Sequence, residues 1–245
     1  MRTRSIVWMS AIVASLAWPA LAGPPYVTDD AEPTETGHFE NYLFTEGTRV
    51  DGAFSGPATG VEINYGAFED TQVSLSLPFN PNPGAGGMGV VWAPLGGGVK
   101  YRFIEEDEEG WRPQVAFYPQ IFFPVGSATH TSPTTELFPI WIQKSWGPWT
   151  TFGGGGYTNN PGSGNRDFAN YGWAITRHLT DNLQLGVELF GLSRDSASDR
   201  AGTAAGFGWV YDFSEQWHLV GSLNAAVHNP QADGFSFNIA AKWTI

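Results

Sequence analysis

The 245-residue sequence has no cysteine, which removes disulfide bracing, thiol nucleophiles and cysteine metal sites together. It is also short of positive charge: 12 Lys and Arg stand against 24 Asp and Glu, a formal charge of −12 at pH 7. Such a chain offers no basic stripe to nucleic acid. Charged residues of either sign make up only 15%. Beyond residue 22 no apolar run approaches the roughly 18 residues that a membrane-spanning helix needs. If the chain crosses a membrane, strands must carry it, because lipid admits only helices and closed barrels. What is plentiful is glycine, with 31 residues, and aromatic rings, at 15%.

The first residues read as an export signal. Arg2 and Arg4 form a positive region, Ile6 to Ala17 an apolar core, and Ala20-Leu21-Ala22 a small-x-small cleavage site. The pattern is too short and wrongly flanked for a spanning helix and predicts a secretory signal peptide over residues 1–22. Its removal takes two arginines away and leaves 10 basic residues against 24 acidic. The rest divides into an N-terminal segment, 23–37, and one all-β domain, 38–245, a length that a single barrel accommodates.

Two-faced segments recur throughout that domain. In the last, Phe235, Phe237, Ile239, Ala241, Trp243 and Ile245 alternate with Ser236, Asn238, Ala240, Lys242 and Thr244. Successive strand side chains face opposite sides of a sheet, so one face is apolar and the other polar. Val61-Ile63-Tyr65, Val73-Leu75-Leu77-Phe79, Val99-Tyr101-Phe103, Leu183-Leu185-Val187-Leu189 and Phe207-Trp209-Tyr211 repeat the pattern. About twelve strands of roughly 9–12 residues result, the length of a tilted bilayer crossing. Longer Gly-, Pro-, Asn- and Ser-rich connections (near 47–57, 80–95, 125–133, 159–165, 194–201 and 228–233) alternate with tight ones such as Phe68-Glu69-Asp70 and Thr180-Asp181-Asn182. Outer-membrane barrels have long external loops and short periplasmic turns. The phasing predicts a bacterial outer-membrane, transmembrane, antiparallel up-and-down β-barrel with both termini in the periplasm. A soluble barrel also alternates, with its faces reversed. Rings crowding the strand ends (Phe103, Trp111, Trp209, Trp217, Trp243) favour the membrane form.

Two blocks carry a family resemblance. One is Gly23-Pro-Pro-Tyr-Val-Thr-Asp-Asp-Ala-Glu-Pro-Thr-Glu35. The other is Trp141-Ile-Gln-Lys-Ser-Trp-Gly-Pro-Trp-Thr-Thr-Phe-Gly-Gly-Gly-Gly-Tyr157, followed by Asn160-Pro-Gly-Ser-Gly-Asn165. Both resemble the outer-membrane transporter family named for the MetA pathway of phenol degradation. The resemblance covers the whole mature chain and implies a β-barrel channel. Ile245 stands where many barrels end in Phe.

No enzyme is expected. The Gly153–Gly156 run lacks the Lys-Ser/Thr and the helix of a phosphate loop, and reads as a place where strands approach closely. None of His38, His130, His178, His218 and His228 lies beside a nucleophile motif, so no catalytic residue is assigned. Glu105-Glu106-Asp107-Glu108-Glu109 reads as a solvated turn. No metal site and no cofactor is expected.

The inward face is the informative one. Assigning strands alternately up and down places Glu62, Lys100, Arg102, Tyr118, Phe122, Glu188, Phe190 and Lys242 along the lumen as channel-lining candidates, and leaves the facing of Lys144 open. The segment before the first strand carries Asp29, Asp30, Glu32 and Glu35, is broken by Pro33, and has no strand pattern. Opposite charges attract strongly in a confined site, so these acids are expected to meet the lumen bases Lys100, Arg102, Lys242 and Lys144 and form a small plug. The expected function is passive passage of a small, aromatic or hydrophobic compound through a constricted channel. The alternative is a structural or surface-binding barrel without transport. Expected partners are outer-membrane lipid, the barrel-assembly machinery and a small-molecule substrate, with no nucleic acid; the expected state is a monomer.

Overall fold

The computed structural model describes residues 25–50, 53–80, 91–125, 133–228 and 234–245. The signal peptide expected over 1–22 and the loop centres 81–90, 126–132 and 229–233 lie outside them. The described residues are all-β, and no helix among them is long and apolar enough to cross a membrane.

The strands are β1 (Phe39–Val50), β2 (Ala53–Phe68), β3 (Thr71–Asn80), β4 (Val91–Trp92), β5 (Leu95–Ile104), β6 (Gln114–Phe117), β7 (Gln120–Phe123), β8 (Thr135–Trp146), β9 (Trp149–Asn159), β10 (Phe168–Thr180), β11 (Leu183–Leu192), β12 (Gly202–Asp212), β13 (Trp217–His228) and β14 (Phe235–Thr244). Neighbours pair antiparallel, and β14 returns to β1 from Glu40↔Thr244 to Arg49↔Phe235, closing the ring. The fourteen segments make twelve wall strands. β3 pairs with both β4 and β5, and β8 with both β6 and β7. Each of those two walls is interrupted at a proline, Pro94 and Pro119, which has no N–H to give the ladder. At Pro119 the ladder survives on its carbonyl, which accepts from Val99 N–H at 3.1 Å.

The burial pattern is the reverse of a soluble barrel's. Leu43 (58% exposed), Val187 and Leu189 face outward, whereas Gln72, Lys100, Gln114, Gln120, Gln143 and Glu188 are buried inside. In water that arrangement would leave a continuous apolar surface exposed; in lipid it does not. Cross-strand rings ornament the rim where the short turns lie: Phe39 stacks on Tyr65 at 4.5 Å and Trp217 on Trp243 at 5.6 Å. Both are register partners on adjacent strands. Amphipathic rings at that level mark a membrane–water boundary.

One connection differs from expectation. The long loop read over 47–57 is mostly strand, since β1 continues to Val50 and β2 begins at Ala53. A ladder is built by backbone, so the Gly-, Ser- and Pro-containing stretch still pairs, with a bulge between Glu46 and Thr48 absorbing the irregularity. The Gly153–Gly156 run lies in β9, where a Cβ would collide with Trp173, Ile140 O, Asn170 O and Pro139 in turn. Close strand approach is the reason for the four glycines.

Candidate functional site

Residues 25–36 do not hang from the barrel but lie across its lumen. Tyr26 and Thr28 touch one wall. Tyr26 packs edge-on against Phe152 of β9 at 5.6 Å and lies over Gly186 of β11 and Gly208 of β12, while Thr28 lies over Gly172 of β10. At each of these glycines a Cβ would clash with the segment, so absent side chains form its seat. Glu188 of β11 then takes two backbone donors, with Val27 N–H on Oε1 and Thr28 N–H on Oε2, both at 3.0 Å. These are charge-assisted bonds to an otherwise orphaned backbone.

The chain next crosses to the opposite wall. Ala31 is fully buried against Ala116, Tyr118 and Trp141. Thr34 gives both its N–H and its hydroxyl to Gln72 Oε1, at 2.8 and 2.9 Å. Thr36 makes a parallel bridge to Gly66, and Gly37, at φ +85°, turns the chain into β1.

Lys100 of β5 is the centre of this second wall. Its ammonium lies 3.1 Å from Asp29 Oδ1, 3.1 Å from Asp30 Oδ1 and 3.4 Å from the Glu32 carbonyl, and 5.2 Å from the centre of the Tyr118 ring. An ammonium has three donors, and all three are used on the N-terminal segment. Asp29 Oδ2 is buried without a partner. Burial pushes the Asp29 carboxyl up to about 6, against the pull of Lys100. Glu32 is likewise raised, by burial first and the nearby Asp30 second, although Gln143 donates to its Oε2 at 3.3 Å.

The other expected pairings resolve differently. Arg102 donates to Asp70 of the β2–β3 turn and to Gln114 of β6. Lys242 pairs with Glu40 of β1 at 2.8 Å, and Tyr42 donates to the same carboxylate at 3.1 Å. Lys144 is buried beneath the β5–β6 connection, where Glu106 accepts from it at 2.6 Å. Of the four bases, Lys100 alone forms an ion pair with the segment; in the other three cases an acid on a neighbouring strand or turn is nearer than the segment. Glu35 is 83% exposed and only approaches His38, so it takes no part in the lumen network. The Glu105–Glu109 turn, read as solvated, is exposed except at Glu106, which takes the Lys144 ammonium, and it borders a vestibule of about 610 Å³ that also includes Glu32, Arg102 and Gln114.

Glu62 lies inward and accepts from Asn64 at 3.0 Å. Tyr118, Phe122 and Phe190 are buried on the lumen side. The residues the sequence reading missed are Tyr26, Thr28, Gln72 and the glycine seat. A signal for the seat existed: Gly172, Gly186 and Gly208 all fall on the inward phase of their strands. Among the described residues no group of three or more His, Asp or Glu converges to hold a metal ion.

Residues 24–239 match the family described as "Putative MetA-pathway of phenol degradation". The chain belongs to this family. Among solved structures, it is similar to the COG4313 outer membrane channel from Pseudomonas putida F1, at TM-score 0.69 and 12% identity, over 88% of this chain and 98% of that one. The NanC porin follows at TM-score 0.59 and 12% identity (82% and 98% covered), and a KdgM porin at 0.58 and 9% (83% and 98%). At these identities the likeness is one of fold: a closed twelve-strand outer-membrane β-barrel. No curated protein matches the sequence.

Proposed function

We propose that this family member is a narrow, monomeric outer-membrane channel for passive passage of a small aromatic or hydrophobic compound, closed in the described conformation by residues 25–36. The observation that carries the reading is the wall-to-wall seating of that segment between Glu188 and Lys100. A barrel with a purely structural role would need no inward glycine seat for its own N-terminus. Tyr118, Phe122 and Phe190 on the inward face suit a compound with an apolar body better than a well-hydrated ion. Family membership and the likeness to outer-membrane channels and porins support the channel part of this reading.

The test is planar-bilayer conductance of purified protein with and without residues 25–34. The deletion should raise single-channel conductance several-fold while the barrel keeps its heat-modifiable gel mobility. Equal, negligible conductance in both forms would favour a structural or surface-binding barrel.

A further inference from the structure

The vestibule of about 610 Å³ lies at the short-turn end of the barrel, between Glu32 of the N-terminal segment and the β5–β6 and β8–β9 connections. Its volume is within the roughly 300–1,000 Å³ of pockets that hold ligands. Its charge is one-sided. Arg102 is engaged by Asp70 and Glu106 by Lys144, so these groups are offset already. Glu32, Glu105 and Glu108 form no ion pair among the described residues. Acids by themselves mark no site; two amides beside them do.

Gln114 of β6 and Gln143 of β8 are register partners, only 3% and 7% exposed, and both line the vestibule. Each uses half of its amide. Gln114 Oε1 accepts from Arg102 at 3.0 Å, and Gln143 Nε2 donates to Glu32 Oε2 at 3.3 Å. A guanidinium only donates and an ionised carboxylate only accepts, so these contacts fix which end of each amide is which. Gln114 Nε2 and Gln143 Oε1 are left without a partner among the described residues. Polar groups on side chains this buried are normally paired. A spare donor and a spare acceptor on adjacent strands thus face the cavity, beside three carboxylates.

We infer that this vestibule is a docking site for an extended, lysine-bearing peptide segment of a periplasmic protein. A peptide group carries one C=O and one N–H. The first accepts from Gln114 Nε2, and the second donates to Gln143 Oε1. Lysine ammoniums of the same segment meet Glu105, Glu108 and Glu32. A polyamine matches the carboxylates but has only donors, so it leaves Gln114 Nε2 unpaired. An acidic peptide is repelled by all three carboxylates. Because Glu32 belongs to residues 25–36, the occupant touches the segment that crosses the lumen, from the end opposite the long loops. The periplasmic source rests on the orientation in which short turns face the periplasm; the chemistry of the site does not rest on the channel reading.

The experiment is calorimetric titration of the full mature barrel in phosphatidylcholine nanodiscs, with empty nanodiscs as blank. The probes are acetyl-Ala-Lys-Ala-Lys-Ala-amide, its counterpart with Glu for Lys, and spermidine. The lysine peptide should bind about tenfold more tightly than spermidine, the ratio expected for two added hydrogen bonds, and the glutamate peptide should not bind. Gln114→Met with Gln143→Met should bring the lysine peptide to within about twofold of spermidine. Should that pair fail to fold, Glu105→Gln with Glu108→Gln, on an exposed turn, should weaken the lysine peptide about fivefold. Asp195→Asn with Asp199→Asn, on a long loop at the other end, should leave its affinity unchanged. Equal binding of the two peptides overturns the inference, as does spermidine binding as tightly as the lysine peptide. Undiminished affinity in the folded Glu105 and Glu108 variant overturns it too. Conductance of the chain lacking residues 25–34 separates the two readings. Peptide binding without conductance sinks the channel and keeps the docking site; conductance without peptide binding does the reverse.

Discussion

Lys100 and Asp29 meet at 3.1 Å with side chains only 5% and 4% exposed, so an ion pair inside the barrel joins the wall to a segment some seventy residues away in sequence. Removing one member of a buried pair costs about 3–5 kcal/mol, because the other is left charged and unsolvated. Lys100→Met should therefore release residues 25–36 at neutral pH and raise conductance. Asp29→Asn combined with Asp30→Asn should do the same, since Lys100 then loses both carboxylates. Single-channel recording checks this; wild-type conductance in both variants would mean that Glu188 and Gln72 suffice to hold the segment.

The seat can be blocked without touching charge. A Cβ at Gly208 would lie 2.5 Å from the Tyr26 ring. Gly208→Val should expel Tyr26 from its contact with Phe152 while leaving the barrel ladder intact. Tyr26 labelled with a fluorinated tyrosine should then show a solvent-exposed resonance, against a buried one in the unaltered protein.

Seating should depend on pH, with a definite sign. Docking raises Asp29 to about 6 and also raises Glu32, so the docked segment binds more protons than a free one near the ordinary carboxylate values of about 4. Stability linked to a raised carboxyl is fully present below its free value and is lost as pH rises through the docked one. Docking should strengthen on going from pH 7.5 to pH 4.5, and conductance should fall. Asp29→Asn should flatten part of that change. A rise in conductance on acidification of the unaltered protein would contradict the argument.

Inward and outward positions of one strand should respond differently to charge. Val187 is 53% exposed on the lipid side of β11, whereas Gln184 is on the inward phase. Arg near the bilayer midplane costs about 2–4 kcal/mol in barrels, so Val187→Arg should lower folding yield into lipid vesicles and Gln184→Arg should not. Equal yields would mean the outer face is not in lipid.

The absence of cysteine makes topology simple to test. Ser163→Cys, in the β9–β10 connection, should react with an impermeant maleimide on intact cells, and Glu108→Cys, in the β5–β6 connection, only after lysis. The opposite pattern would invert the barrel in the membrane.

Much of this protein was legible as pattern. A strand's period of two is local, so Phe235 to Thr244 declared their two faces from sequence alone, and Phe117, Tyr118, Gln120 and Ile121 kept their phase across Pro119. Charge at Asp29 and Lys100 could be paired in advance because a closed barrel gives inward charges few other places to go. Which base would take which acid was not legible. Arg102 found Asp70, Lys242 found Glu40 and Lys144 found Glu106, since those contacts depend on register and on the path of turns, which bring together groups far apart in sequence.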